Sequence, residues 1–272
     1  MRTVHSPGGP ALAGSGGEAS GNRGARLKLL SGFELSLGGR PMLLPVALQR
    51  LLAFLALSGQ RLRRSYVAGR LWIDATEERA GANLRSTLWR LRQLEQALVE
   101  ASAAHLSLSS AVSVDILEAQ MQVTRLTDPA DGCEDLTVDV GVLCSDVLPD
   151  WYDEWVIIER ERFRQMRLHG LESVSHRLID AKRYGEAVDA ALAAVSAEPL
   201  RESAQRVLIS AHLAEGNFGE ALRQFRRFSD TLRDELGMEP SNELAGLLWP
   251  SRALADPHGV LIEEPPLVYS GK

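Results

Sequence analysis

Apolar residues recur along this chain in two different spacings, and the change between them marks its elements. Three short apolar runs come first, at 27–30, 33–37 and 42–44, punctuated by Gly32 and by Gly38-Gly39. Runs of that length between glycines predict three short antiparallel strands. From 46 to 57 the spacing becomes helical, with Leu48, Leu51, Leu52 and Leu55 on one face, and Gly59 supplies the stop. Ser65 is placed to cap a short second helix that runs through Leu71-Trp72. Asp74-Ala75-Thr76 forms a tight connector. Asp74 or Thr76 can cap a third helix whose first turn holds Glu77 and Glu78. The stripe Leu84, Leu88, Leu91 and Leu98 predicts that this helix continues to about Glu100. Two short runs, 105–108 and 112–114, read as a small hairpin around Ser109-Ser110-Ala111, and a further helix is expected over 116–126.

The pattern then lapses. Residues 127–149 are acidic and contain Pro129, Gly132, Gly141 and Pro149, which predicts a linker. From Trp151 onward every strong periodicity is helical. Tyr184-Gly185-Glu186-Ala187 returns as Phe218-Gly219-Glu220-Ala221, an offset of 34 residues, which is the period of the tetratricopeptide helical hairpin. Ala204 and Ala211 between the two copies suit the close helix packing of such hairpins. Residues 1–25 and 250–272 hold little to bury and are expected to be a disordered and a flexible tail. The expected architecture is mainly α with a small β component. A winged helix-turn-helix (26–126) and an acidic linker (127–149) precede a tetratricopeptide-like helical domain (150–249).

Composition sharpens this division. The 272 residues are 45% hydrophobic and 24% charged, which is globular. The net charge of −6 is unevenly spread: residues 1–125 carry 15 basic and 9 acidic side chains, and the remainder carry 15 and 27. The N-terminal half therefore suits a phosphate backbone, and the C-terminal half would be repelled by one. Cys133 and Cys144 form no disulfide framework and no metal-spaced set, and no apolar run is long enough for a membrane span, so a cytoplasmic setting is expected. No cofactor is called for. A phosphate-binding glycine loop and a nucleophile–base pair are both missing, which argues against an enzyme. His169 and His176 lie two helical turns apart and are read as packing or surface residues, not metal ligands.

The third helix carries the candidate chemistry. With Leu84 facing inward and each residue advancing ~100°, Arg79, Ser86, Arg90 and Gln93 fall on or near the outer face. Asn83 and Trp89 flank it, Arg85 lies nearer a side, and all seven are candidate DNA contacts. An apolar back with an Arg/Asn/Ser/Gln front suits a helix lying in the DNA major groove, where Arg pairs with guanine and Asn or Gln with adenine. Arg61, Arg63 and Arg64, just before the second helix, are candidate phosphate contacts. Trp151, Trp155 and Ile158 share one face of a later helix and are expected in the core. The nearby Arg160, Arg162, Arg164 and Arg167 interleave with Glu159 and Glu161 as a salt-bridged surface.

Two motifs resemble a known family. Leu71-Trp72 followed by the run 82–92 (Ala-Asn-Leu-Arg-Ser-Thr-Leu-Trp-Arg-Leu-Arg) is similar to the recognition-helix region of the Streptomyces antibiotic regulatory proteins. Residues 148–155 (Leu-Pro-Asp-Trp-Tyr-Asp-Glu-Trp) with the following Glu159-Arg160-Glu161-Arg162 resemble the start of that family's bacterial transcriptional activation domain. The resemblance covers roughly residues 27–248. It implies an OmpR-type winged helix, activation of secondary-metabolite or other pathway gene clusters, binding to direct repeats near promoters as a dimer, and recruitment of RNA polymerase. It assigns recognition to Arg79, Asn83, Ser86, Arg90 and Gln93, and places the turn Asp74, Ala75 and Thr76 toward polymerase. Ile73 departs from the proline usual after Leu-Trp, and the expected wing lacks the usual glycine-tyrosine feature. The competing expectation is a helical-repeat adaptor that binds proteins and no specific DNA.

Overall fold

The computed structural model describes residues 24–127 and 140–249. These residues form two compact units. The first unit ends its opening stretch at Lys28 and resumes over Phe33–Val114. The second comprises Leu29–Gly32 and everything from Asp115 onward.

In the first unit, β1 (Ala25–Lys28), β2 (Glu34–Leu37) and β3 (Arg40–Met42) form the expected antiparallel strands. Gly38 and Gly39, at φ of 54° and 81°, make the turn between β2 and β3. Helix α1 (Val46–Ser58) follows. Gly59 closes it at φ 60°, where a side chain would be strained, and its N–H donates to the Leu55 carbonyl. The short β4 (Leu62–Arg63) leads directly into α2 (Arg64–Leu71), so Ser65 lies inside the helix and does not cap it. Thr76 is the cap of α3 (Glu77–Leu91): its Oγ1 accepts from the Arg79 N–H at 3.4 Å.

Two sequence expectations change here. The third helix stops at Leu91, short of residue 100, and Arg92 to Gln96 form turns that lead to β5 (Val99–Ala101). Leu98 is still buried, so the stripe of leucines continues although the helix does not. The hairpin is also displaced. Strand β6 (His105–Leu108) pairs antiparallel with β5 and with β4, and β7 (Val112–Val114) pairs in parallel with β1. The wing is therefore β5–β6, with its turn at 102–104. The core of this unit joins Leu27 and Leu35 from the sheet, Leu51, Leu52 and Leu55 of α1, Val67 and Leu71 of α2, and Leu84 and Leu88 of α3.

The second unit is helical. Helix α4 (Asp115–Thr127) was expected to close the winged-helix domain, but it packs on α6 (Glu154–Asp180) and groups with the second unit. The reason is its apolar face: Leu126 shares a buried cluster with Val174 and Leu178 of α6. Gly170 marks the closest approach. A Cβ there would lie 2.7 Å from Cγ2 of Val123. Alanine at 170 gains helix propensity of about 1 kcal/mol, but the β-branched Val123 has little rotamer freedom to move aside, and overpacking costs about 1–3 kcal/mol. Gly170→Ala is expected to destabilise the protein in urea unfolding, and the same substitution in a Val123→Ala background to stabilise it.

The expected acidic linker is structured over residues 140–149. Residues 128–139 lie outside the described residues, as do most of both expected tails and Cys133. Helix α5 (Val140–Cys144) and the fully buried Leu143, Val147 and Leu148 belong to the packed unit, and Val147 forms a bridge with Leu30. Asp115 secures that bridge: its carboxylate accepts from the N–H groups of Leu29 (2.9 and 3.0 Å), Leu30 (3.0 Å) and Ile116 (2.7 Å).

Helices α7 (Tyr184–Ala197), α8 (Glu202–Glu215) and α9 (Phe218–Leu236) complete the repeat, and both copies of the aromatic-Gly-Glu-Ala motif begin a helix. Ala187, Ala204, Ala211 and Ala221 are fully buried, which is how the hairpins close. Helix α10 (Asn242–Leu248) is tied to α8 through Glu202, whose carboxylate accepts from the N–H (3.0 Å) and the hydroxyl of its cap Ser241 and from Arg206 (3.4 Å). Partial burial pushes the Glu202 carboxyl up, but the bonds from Ser241 and Arg206 outweigh it and leave the group below the usual carboxylate range. A depressed folded-state value contributes stability above the unfolded-state pKa, and that contribution is lost as pH falls through the folded value. Acidification should therefore loosen α10, read as a change in fluorescence of Trp249, which packs edge-on to Phe225 with ring centres 5.5 Å apart. The change should be missing in Trp249→Phe and displaced in Glu202→Gln.

Candidate nucleic-acid interface

Helix α3 buries Ala80, Leu84, Thr87, Leu88 and Leu91 and exposes nearly everything else. Thr87 is inside because its hydroxyl donates to the Asn83 carbonyl at 2.8 Å. Arg79, Asn83, Arg85, Ser86, Trp89 and Arg90 are all exposed on the helix, and Gln93 is exposed in the turn just after it, where its N–H donates to the Arg90 carbonyl at 3.1 Å. Among the described residues, no carboxylate forms an ion pair with Arg79, Arg85 or Arg90. Three uncompensated guanidinium groups on one helix attract an anion. Glu77 and Glu78 occupy the first turn. They favour the helix dipole but repel phosphate, so the attractive part of the surface runs from Asn83 toward Gln93.

The structure divides the three arginines expected to hold phosphate. Arg63 is exposed in β4. Arg61 and Arg64 reach the wing turn: the Arg61 guanidinium donates to Ser102 Oγ at 3.2 Å and Arg64 to the Ser102 carbonyl at 3.2 Å. Ser102 also receives the His105 N–H on its hydroxyl at 3.0 Å, which closes the turn. Sequence reasoning missed this hub, although a serine three residues before a strand is a recognised local turn signal. The turn itself, Ser102-Ala103-Ala104, holds no basic side chain.

The connector between α2 and α3 is exposed at Asp74 and Thr76 and half-buried at Ala75, whose N–H donates to the Trp72 carbonyl at 3.0 Å. Ile73 beside it is 72% exposed.

In the second unit, Arg162 and Arg164 pair with Glu159 and Glu161 as expected, and Arg164 hydrogen bonds hold the Glu161 carboxyl down to about 2. Arg160 and Arg167 do something else. Arg160 donates to the carbonyls of Val147 (2.9 Å), Leu148 (2.5 Å) and Trp151 (2.9 Å). The buried Arg167 bonds Asp146 at 2.9 Å and the Ser145 carbonyl at 2.8 Å. Trp151 precedes α6 and meets the buried Trp155 edge-on, while Ile158 is exposed, so the expected aromatic face is only partly core. His169 and His176 are exposed, and among the described residues no group of three or more His, Cys, Asp or Glu could hold a metal ion. No described helix is long and apolar enough to cross a membrane.

The first unit is thus a mixed α/β winged helix with a cationic helix, and the second is built of helical hairpins. Residues 140–248 match the family model of the bacterial transcriptional activator domain. The chain is 26% identical over 196 residues to the regulatory protein AfsR of Streptomyces griseus. That alignment covers 68% of this chain and 20% of AfsR, so the chain spans about one fifth of the curated relative's length. In fold it is similar to Mycobacterium tuberculosis EmbR, solved in complex with a low affinity phosphopeptide. The TM-score is 0.66 at 19% identity, covering 85% of this chain and 66% of that one. These likenesses are consistent with a regulator of the Streptomyces antibiotic regulatory protein type.

Proposed function

We propose that this protein is a sequence-specific DNA-binding transcriptional activator of a secondary-metabolite or other pathway gene cluster. Helix α3 enters the major groove, with Arg79, Asn83, Arg85, Ser86, Arg90 and Gln93 toward the bases and nearby phosphates, and Arg63 fixes the register on the backbone. Arg61 and Arg64 act by holding the wing turn. Two copies lie side by side on direct repeats near a promoter, and the helical unit supports that dimer. The exposed Asp74–Thr76 turn meets RNA polymerase. The observation that carries this reading is the outer face of α3: three arginines without carboxylate partners beside an exposed Asn, Ser and Gln. The activator-domain match supports the regulatory role.

The test is selection of duplexes from a random library by the full chain, followed by binding measurements on the enriched duplex and on random duplex across a salt series. Enrichment of a repeated motif is expected, with affinity that falls steeply as salt rises. Equal, salt-insensitive binding to both duplexes would overturn the proposal in favour of a protein-binding adaptor.

A further inference from the structure

Trp89 is a large aromatic side chain, 64% exposed, in the middle of an otherwise polar helix face. Hydrogen bonding does not explain its position: among the described residues its indole has no partner and no aromatic ring lies against it. At ~100° per residue, Trp89 projects between Arg85 on one side and Ser86 and Gln93 on the other. The positions three and seven before it, Ser86 and Ala82, are small and exposed. They leave room for the indole to lie flat along the outer face and for the helix to come close to a surface.

The major groove presents hydrogen-bonding edges from every base but only one apolar group, the C5 methyl of thymine. The neighbours of Trp89 carry the hydrogen-bonding complement of the edges. The indole face, a broad apolar surface whose single N–H donor lies at the ring edge, complements the methyl. Resting on the DNA-binding reading above, we propose that Trp89 is a specificity-determining residue that packs on one or more thymine methyl groups. The selected site then contains a thymine whose identity is read by an apolar contact, next to bases read by Arg90 and Asn83.

Replacing thymine by deoxyuridine removes that methyl and leaves every hydrogen-bonding group in place. The probe is the duplex enriched from a random library by the full chain, with each thymine replaced in turn. At a contacted thymine the wild-type protein should lose about fourfold in affinity per methyl, the effect of leaving one such group unburied. Trp89→Ala should bind the parent duplex more weakly and show no further loss with deoxyuridine. Trp89→Gln carries the same comparison if the alanine variant does not fold. Deoxyuridine that is neutral at every position, or equally costly to wild type and variant, overturns the role of Trp89 and leaves the DNA-binding reading standing. A library that yields no enriched duplex overturns both.

Discussion

Alanine in place of Arg160 is expected to lower the unfolding free energy by about 2–4 kcal/mol, because it strips a charged donor from three carbonyls at once. The carbonyls of Val147, Leu148 and Trp151 lie within 2.5–2.9 Å of its guanidinium. Val147 and Leu148 are fully buried, so water reaches their carbonyls only if the segment moves. Hydrogen bonds to a charged partner contribute about 1.5–3 kcal/mol each, and they are not additive where they share one group. Lysine cannot substitute, since an ammonium on a flexible stem lacks the planar fork that spans separate acceptors. Arg160→Lys should recover less than half of the loss. Urea unfolding monitored by circular dichroism measures both variants, and an alanine variant within about 0.5 kcal/mol of wild type would assign Arg160 to the surface.

Arg90→Ala is expected to weaken binding to the selected duplex by about 1–3 kcal/mol, the discrimination a bidentate arginine–guanine pair supplies. Arg90 is exposed on the last turn of α3, without an ion-pair partner among the described residues, and clear of the buried stripe. Its loss should therefore leave stability unchanged while removing affinity. The comparison with random duplex decides its role. A loss confined to the selected site assigns Arg90 to a base, and an equal loss on both, with a shallower salt dependence, assigns it to phosphate.

How far the sequence reveals such roles depends on how local each one is. The starts of α7 and α9 were legible because the helix-opening motif occurs twice at a fixed period and each copy needs only its own hairpin. The outer face of α3 was legible because 3.6-residue periodicity separates Leu84 and Leu88 from Ser86 and Arg90 without reference to anything else. The wing was misplaced because β7 pairs with β1, some 87 residues earlier, as in the Ala25–Val112 register. Nothing in the run 105–114 states that its second half belongs to another sheet. The end of α3 was overrun because Leu98, in the segment just before β5, is buried and prolongs the helical spacing by coincidence. Arg160 looked like one more member of an alternating Arg/Glu run. Its partners are backbone carbonyls, which carry no residue-type signal, so a helix-surface reading was the natural one. The split among Arg61, Arg63 and Arg64 was hidden because the hub that Arg61 and Arg64 meet is a serine 38–41 residues away.

The four residues Leu29–Gly32 have a consequence for the order in which the chain can fold during synthesis. They emerge from the ribosome long before the residues that hold them: Asp115 accepts their N–H groups, and the Ser31 N–H donates to the Asp146 carbonyl at 2.8 Å. More than a hundred residues must follow before that segment finds its place. Strand β1, directly ahead of it, waits likewise for Val112–Val114. Contacts between residues so far apart in sequence slow folding, because the intervening loop must be closed before they form. The nascent chain therefore carries the open edge of β1 until Val112–Val114 have been made, an interval in which such edges are prone to misassembly. An activator-domain fragment begun at residue 115 or later would be made without one side of its own Leu30–Val147 bridge.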